Sequence, residues 1–349
     1  MNTHAITVRP VSDAVIPDIV DLILAQEFRQ FTADSRLRAV RSRQQIEAAL
    51  VRGRQEGGQP LVALDSRGHV RGYVAPSVWT IAETSMLRAF LSARNGVALN
   101  LTLPHPVEED ARSVTFALLD GLNKFWVQHN TTGDLIRWPS RDAWIEPFLA
   151  ERAFQLDSVC ASYPRQPLSP PTQSVVKSPS ILTRHARQED EETLVRLLHE
   201  ELRFHELYTP FVRSSSEVLD AFRKKLARLW RGESLEEGAP LIIVAEQAGE
   251  VVAMGENTLL VLGSEEEPGF TPSGRYACIE NVSVQEEARG QGIGRMLLEA
   301  AFAAFAATQF EQYLLWYNPA NVLAGRVWPH LGFQPLWTTY QRMHTVAES

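Results

Sequence analysis

The chain has 349 residues, of which 44% are apolar and 22% are charged, a composition typical of folded proteins. It is long for one ordinary domain, so we expect two hydrophobic cores. The formal net charge of −8 argues against nucleic acid as the main partner, because phosphate binding needs clustered excess base. Acidity is compatible instead with a cationic partner.

The number of cysteines and the hydropathy of the sequence indicate the cellular compartment of the protein. Cys160 and Cys278 are the only cysteines, too few for a disulfide framework or a thiolate metal site, which indicates a reducing compartment. His199 and His205 are not spaced for zinc with either cysteine, so no metal is predicted. The N-terminus lacks the apolar core of a signal peptide, and no stretch approaches about 18 uninterrupted apolar residues. We therefore expect a cytoplasmic protein without a membrane span.

Taken in chain order, two halves of the sequence resemble each other at an offset of about 175–181 residues. Each half opens on a short strand, continues into a helical stretch and a hairpin signal, and ends near an aromatic turn. The matching segments are 6–9 with 181–184, 16–28 with 191–204, 60–70 with 240–251, and 153–155 with 332–334. This alternation predicts an α/β (α+β) fold in which each half has a mixed sheet flanked by helices.

The stretch 164–180 separates the two halves. It is rich in Pro, Ser and Gln, a composition that cannot bury enough apolar surface to fold and that favours extended backbone. The predicted organisation is an N-terminal domain at 1–163, a linker at 164–180 and a C-terminal domain at 181–349.

Residues 276–304 of the second half read as a strand, a glycine loop and a helix. The loop is Arg289-Gly290-Gln291-Gly292-Ile293-Gly294. A helix N-terminus presents unpaired N–H groups and the positive end of the macrodipole, and glycines let an anion approach them. A dinucleotide fingerprint does not match, because the third glycine position counted from Gly290 is Arg295. A nucleotide P-loop does not match either, because Gly-Lys-Ser/Thr is missing.

Two motifs of this half resemble the GNAT acyltransferase superfamily. The first, Arg/Gln-x-x-Gly-x-Gly/Ala, is Arg289-x-x-Gly292-x-Gly294. The second is Asn321-x-x-Ala324, then an aromatic residue four positions on, then Gly-Phe at 332–333. Both occur in the expected order. The resemblance implies tandem GNAT domains, each with a mixed, twisted sheet whose fourth and fifth strands splay apart where acyl-CoA lies. Among tandem members of the family, this layout resembles that of mycothiol synthase, in which the first copy matches the motifs poorly and the second copy is active.

The resemblance also implies which residues hold acetyl-CoA. Backbone amides of residues 290–295 would bind the diphosphate. Val282 and Val284 would pair with the pantetheine arm like an extra strand, with an oxyanion donor near Val282. Asn321 would hydrogen-bond the same arm. The complete set predicted to contact the cofactor is Val282, Ser283, Val284, Arg289, Gly290, Gln291, Gly292, Ile293, Gly294, Arg295, Asn321 and Trp328.

The proposed chemistry is direct attack of an amine on the thioester, which requires a base. Glu280 is the candidate, two residues before Val282 and so expected on the same face of the strand. The family commonly places a tyrosine acid in the second motif, but here Trp328 occupies the aromatic position, and an indole cannot release a proton near neutral pH. Tyr317 and Tyr340 are substitutes for that acid, and water could also protonate a thiolate of pKa about 8–9.

The resemblance implies that the first two helices of a domain set acceptor specificity. In the second half these residues include His205, Glu206 and Tyr208, which could line an acceptor pocket or be a solvated helix end. The first half lacks the glycines: its corresponding stretch begins Glu108-Glu109-Asp110. Ser113, Val114 and Thr115 there are expected to fill the space of the diphosphate, so this half is predicted not to bind CoA in the usual way.

The leading hypothesis is therefore an N-acyltransferase that transfers acetyl from acetyl-CoA to the primary amine of a small molecule or peptide. It would work as a monomer or homodimer, without nucleic acid or membrane. The alternative is a non-catalytic acyl-CoA-binding sensor or scaffold, motivated by Trp328 and by the decay of the first copy. A third possibility is that the first half serves only as a dimerisation or lid element.

Overall fold

A computed structural model of the chain describes residues 5–165, 181–263 and 269–344. The predicted linker lies outside these residues except for its first two positions. Twelve strands are found within the described ranges: β1 (Thr7–Pro10), β2 (Leu61–Leu64), β3 (Val70–Thr80), β4 (Arg94–Thr102), β5 (Gly133–Pro139), β6 (Gln155–Pro164), β7 (Ile181–His185), β8 (Leu241–Gln247), β9 (Glu250–Leu262), β10 (Gly274–Val284), β11 (Gln312–Tyr317) and β12 (Gln334–Met343).

The helices of the same ranges follow the repeat predicted from the sequence. They are α1 (Ile16–Ala33), α2 (Arg43–Gln55), α3 (Ala111–Gln128), α4 (Glu146–Ala150), α5 (Glu191–His205), α6 (Ser216–Trp230), α7 (Ile293–Phe305) and α8 (Ala324–His330). Local sequence sets several starts: Ser42 caps α2 by accepting from the Gln45 amide, while the Gln45 side chain accepts from the Ser42 amide. None of the helices in the described part of the chain is long and apolar enough to cross a bilayer.

All strands of the described residues belong to one sheet, in the order β1-β2-β3-β4-β5-β12-β6-β11-β10-β9-β8-β7. Pairing is parallel between β4 and β5 and between β10 and β11, and antiparallel elsewhere. The predicted mixed α/β architecture, with the same order of elements in both halves, is confirmed.

The last strand of each half lies beside the other half. β12 pairs with β5 of the first half, β6 pairs with β11 of the second half, and β6 and β12 pair with each other. Side chains support this exchange: Arg342 on β12 donates through Nε to buried Asp134 Oδ2 on β5, at 3.1 Å. The two halves are therefore joined through the centre of the sheet.

Both faces of the sheet are covered by helices. In the first half, Ala63 of β2 packs in a core with α3 and α4, while its neighbours Val62 and Leu64 pack in a core with α1 and α2. In the second half, Ile243 of β8 belongs to the α7 core and Val244 to the α5–α6 core. Alternating burial along a strand is the expected result of a sheet enclosed on both sides.

Candidate active site

The glycine loop lies where the sequence predicted it, at the start of α7. Gly292 is the N-cap and, like Gly290, has φ +78°, a left-handed conformation that glycine adopts without strain. A Cβ atom added at Gly290, Gly292 or Gly294 would meet nothing within 4 Å. Because the first amides of a helix have no intrahelical acceptor, the loop presents N–H groups to open space. This arrangement fits an anion as large as a diphosphate.

The side chains around the loop are held by neighbouring elements. Arg289 donates through Nε to the Val284 carbonyl at 3.1 Å, and its guanidinium stacks on the Phe204 ring at 4.9 Å. Arg295 donates to Glu299 along α7 at 2.9 Å, and Gln247 donates to the Gln291 side chain at 3.3 Å. Arg289 therefore connects the loop to the end of α5.

Beside the loop, β10 and β11 splay apart. Their parallel pairing covers only Ala277–Ile279 with Tyr313–Leu315. Beyond Ile279, β10 continues to Val284 with β9 as its partner on one side, so its edge toward β11 is open. Such an edge can receive an extended chain through backbone hydrogen bonds. Ser283, predicted to contact cofactor, instead has a buried side chain whose Oγ donates to the Leu197 carbonyl at 2.9 Å.

Glu280 sits in a β-bulge, and the expectation that it shares a face with Val282 is wrong. Ile279 lies opposite Asn257 while Asn281 lies opposite Glu256, so Glu280 is an extra residue in the pairing. Its Oε1 accepts from Thr258 Oγ1 at 2.7 Å, on the face of α5 and α6, whereas Val282 packs against the α7 core. One inserted residue shifts the two-residue period by one position.

Glu280 and its neighbours make the α5–α6 side of the opening strongly polar. Glu256, buried on β9, contacts Lys225 of α6 and accepts from the Asn281 amide group. Burial lowers the pKa of the Lys225 ammonium, but the charges of Glu256 and Glu280 outweigh this effect and raise the pKa overall. Lys225 therefore stays charged between two carboxylates.

The two candidate tyrosines lie in different cores. Tyr317 ends β11 in the α7 core, close to where the strands separate, and burial raises its pKa, so its hydroxyl stays protonated at neutral pH. Tyr340 packs in the core that α3 and α4 form with the sheet of the first half, and its hydroxyl donates to Glu146 at 3.4 Å. Tyr340 is therefore not part of this site, because β12 pairs with β5.

Asn321 and Trp328 lie around α8. The Asn321 side-chain oxygen accepts from the amides of Leu323 and Ala324, at 3.0 and 3.3 Å, and so caps the turn that enters this helix. Trp328 packs against the α7 core and makes an edge contact with Phe333, with 5.6 Å between ring centroids.

The predicted acceptor residues lie at the end of α5. His205 Nε2 is 2.9 Å from Glu201 Oε1, and Glu206 accepts from the Ser214 amide at 2.7 Å. Tyr208 packs edge-on against Phe204, and the guanidinium of Arg289 stacks on the ring of Phe204. The structure thus links this group to the glycine loop, with Glu206 ordering the chain that follows α5.

Asp157 is a candidate residue that the sequence reasoning missed. It lies on β6, two residues before Val159, which pairs with Tyr317 at the end of β11. Burial raises the pKa of Asp157 to about 6, against the opposing effects of hydrogen bonds from Gln341 and Ser158 and of nearby His205. A carboxylate within a predicted strand was the available signal, but its location depends on the pairing of β6 with the second half.

The corresponding turn of the first half is filled by its own side chains. Asp110, the N-cap of α3, accepts from Arg71 Nε and Nη2 at 2.7 and 2.8 Å, and Glu108 contacts the same arginine. Val114 and Thr115 are fully buried, so the expectation that these two fill the space of a diphosphate is wrong, whereas Ser113 is exposed. The carboxylates take the position of an anion at this helix N-terminus instead.

A splayed parallel strand pair that opens onto a glycine-lined helix N-terminus defines the class of this protein as GNAT-like. Residues 200–333 match the model of the acetyltransferase (GNAT) family. No curated protein matches the sequence.

Solved structures extend the likeness to the whole chain. A GCN5-related N-acetyltransferase from Sphaerobacter thermophilus is 13% identical with a TM-score of 0.53, over 97% of this chain and 95% of that one. A tandem GNAT protein from the clavulanic acid biosynthesis pathway is 15% identical with a TM-score of 0.43, over 97% and 98% of the two chains. The matched segment therefore resembles a family whose members are generally N-acetyltransferases that use acetyl-CoA. The comparison with the Sphaerobacter protein shows a similar fold over 97% of the chain, including the first half.

Proposed function

We propose that the chain is an acetyl-CoA-dependent N-acetyltransferase whose active site is the opening between β10 and β11. The observation that carries this proposal is the combination of two features: open space around the glycines at 290, 292 and 294 at the start of α7, and the open edge of β10 beyond Ile279. The amides of residues 290–295 would hold the diphosphate, and the edge at 281–284 would pair with the pantetheine arm. When bound, acetyl-CoA supplies an activated acyl group.

The two faces of the opening divide the remaining tasks. The acceptor amine would enter from the α5–α6 side, where Glu280 can take its proton directly or through one water. The backbone N–H near Val282 would face the carbonyl oxygen, a contact whose loss typically costs about 10²–10³ in rate. On the α7 side, the protonated Tyr317 hydroxyl can donate to the departing sulfur. The bulge at Glu280 supports this division because it turns the carboxylate toward the acceptor side.

The acceptor is proposed to be a primary amine of a small molecule or peptide. Its side of the opening carries Glu280, Glu256 and Asp157, with Lys225 and His205 as the neighbouring cationic or titratable groups. Excess carboxylate favours a protonated amine on arrival and provides an acceptor for its proton.

A non-catalytic acyl-CoA sensor is the second candidate. It is favoured by Trp328, which cannot act as an acid, and by the Asn321 side-chain oxygen, which already caps the turn into α8. The two functions differ in turnover, because only an enzyme releases CoA faster when an acceptor is added.

The experiment is a CoA-release assay with acetyl-CoA and a panel of primary amines, run on the wild type, Glu280→Gln and Glu250→Gln. Glu250 is an exposed residue at the start of β9 and serves as the matched control. An enzyme should turn over at least one amine, and loss of the base should lower kcat by about 10²–10⁴ while leaving acetyl-CoA affinity unchanged. Tight acetyl-CoA binding without amine-dependent release across the panel would favour the sensor.

A further inference from the structure

The first half contains a pocket that the proposed acetyl transfer does not use. It has a volume of about 210 Å³. It lies between α1 and the segment of β4 that runs past Val97, where β4 and β5 cease to pair. Residues 269–271, which precede β10, and Trp337 of β12 close its other side. We call it the first-half pocket.

Three arginines and one glutamate line the first-half pocket. Glu27 accepts from Arg41 Nε at 2.8 Å and from Arg38 Nη2 at 3.1 Å, so one carboxylate is shared between two guanidinium groups. Arg137 of β5 lines the pocket with an exposed side chain, although partial desolvation of the guanidinium lowers its pKa, and it makes no ion pair with any carboxylate of the described residues. Arg137 is therefore the lining cation that no carboxylate of the described residues neutralises.

The guanidinium of Arg137 is positioned and still able to donate. Its carbon lies 5.1 Å from the centroid of the Trp79 ring, which also lines the pocket. Stacking on a ring face leaves the N–H groups at the edge of the guanidinium plane available for a carboxylate or phosphate. The aromatic ring thus fixes the orientation of Arg137 without neutralising its charge.

The rest of the pocket wall includes apolar and aromatic side chains. The apolar part of the wall includes Ile23, Phe31, Leu37 and Phe270. The guanidinium of Arg137 and the aromatic walls together select a ligand with an anionic head and an apolar body.

We propose that the first-half pocket binds a small organic anion, with its carboxylate or phosphate against Arg137 and its apolar body among Trp79, Phe270 and Trp337. The positive charge of Arg137 would repel a protonated amine acceptor. The turn that could hold a second CoA diphosphate is occupied by Asp110 and Arg71. The pocket is therefore a binding site distinct from the acetyl-transfer site.

The test uses the full chain and calorimetric titration with four probes. Phenylacetate and phenyl phosphate carry an anionic head on an aromatic body, phenylacetamide has the same body without charge, and inorganic phosphate has no body. We expect phenylacetate or phenyl phosphate to bind at least tenfold more tightly than phenylacetamide and inorganic phosphate, and the stronger of the two identifies the head group. Equal binding of phenylacetamide, or equal binding of inorganic phosphate, would overturn the proposal, as would no binding of either aromatic anion.

Matched variants locate the site. Arg137→Met should weaken binding of the preferred aromatic anion at least tenfold, whereas Arg67→Met, on an exposed turn outside the pocket, should leave it unchanged. Thermal unfolding of both variants checks that the fold is intact. Unchanged affinity in a folded Arg137→Met protein would also overturn the proposal. Acetyl-CoA titrated separately should bind both variants equally, so failure of the transferase proposal and failure of this one give different results.

Discussion

Gly294 allows folding and cofactor binding to be separated by one substitution. It lies in the first turn of α7 without a positive φ, and a Cβ atom there would meet nothing within 4 Å. A leucine at this position is therefore compatible with the backbone and should project into the space proposed for the diphosphate. Gly294→Leu is expected to leave the fold intact while blocking acetyl-CoA.

The two expected effects have opposite signs. Replacing glycine within a helix removes a penalty of about 0.5–1 kcal/mol, so the free energy of unfolding should stay equal or rise by up to that amount. Hydrogen bonds to a charged group contribute about 1.5–3 kcal/mol each. Loss of two amide contacts to the diphosphate would cost about 3–6 kcal/mol, which corresponds to at least about a hundredfold loss of affinity.

Urea unfolding and calorimetric titration with acetyl-CoA measure the two quantities on the same protein. Gly53→Leu is the matched control, because Gly53 lies in α2 with equally open surroundings. It should change stability similarly and leave acetyl-CoA affinity unaltered. Wild-type affinity in a stably folded Gly294→Leu protein would refute the location of the cofactor. A fall of several kcal/mol in unfolding free energy would show instead that the glycine is needed by the fold.

Three further outcomes are expected. Tyr317→Phe should lower kcat by about tenfold or more without changing acetyl-CoA affinity, if the hydroxyl assists thiolate departure, and an unchanged kcat would assign that step to water. Burial raises the pKa of Asp157 to about 6 from 3.8, so the folded state holds the proton more tightly and stability falls as pH rises between these values. The change in unfolding free energy caused by Asp157→Asn, measured in urea, should therefore be more favourable at pH 7.5 than at pH 3.5 by up to about 3 kcal/mol. A chain of residues 181–349 should be unfolded or aggregated by circular dichroism and gel filtration, because β11 would lose its partner β6, and a folded, active product would contradict that dependence.

The order of elements and the glycine loop could be predicted because both depend on local sequence. A strand followed by Gly290, Gly292 and Gly294 and then by an apolar helical stripe specifies a helix N-terminus open to an anion. The family motifs add the splaying of the strands that flank it. Neither inference requires knowledge of contacts between distant parts of the chain.

The face of Glu280 could not be predicted in this way. Predicting the face of a residue from alternation assumes an unbroken two-residue period along the strand. Nothing in the sequence between Ile279 and Asn281 indicates an extra residue in the pairing. The bulge is set by pairing with β9, which is a tertiary contact. The same reason explains the misplaced Tyr340 and the missed Asp157: each lies on a strand whose partner comes from the other half.

The pairing of β6 with β11 explains how the second half can depend on the first half although the helix turn at Asp110 has no glycine loop. β6 borders β11, so Val159 lies opposite Tyr317, and Asp157 lies near His205. The first half also packs against the helices of the second half at Ala89, whose carbonyl accepts from the Arg213 amide at 2.8 Å. These contacts depend on the sheet of the first half and not on an anion at the start of α3. That turn is satisfied internally by the contacts of Arg71 with Asp110, so the sheet of the first half can support the active site of the second half without binding an anion there.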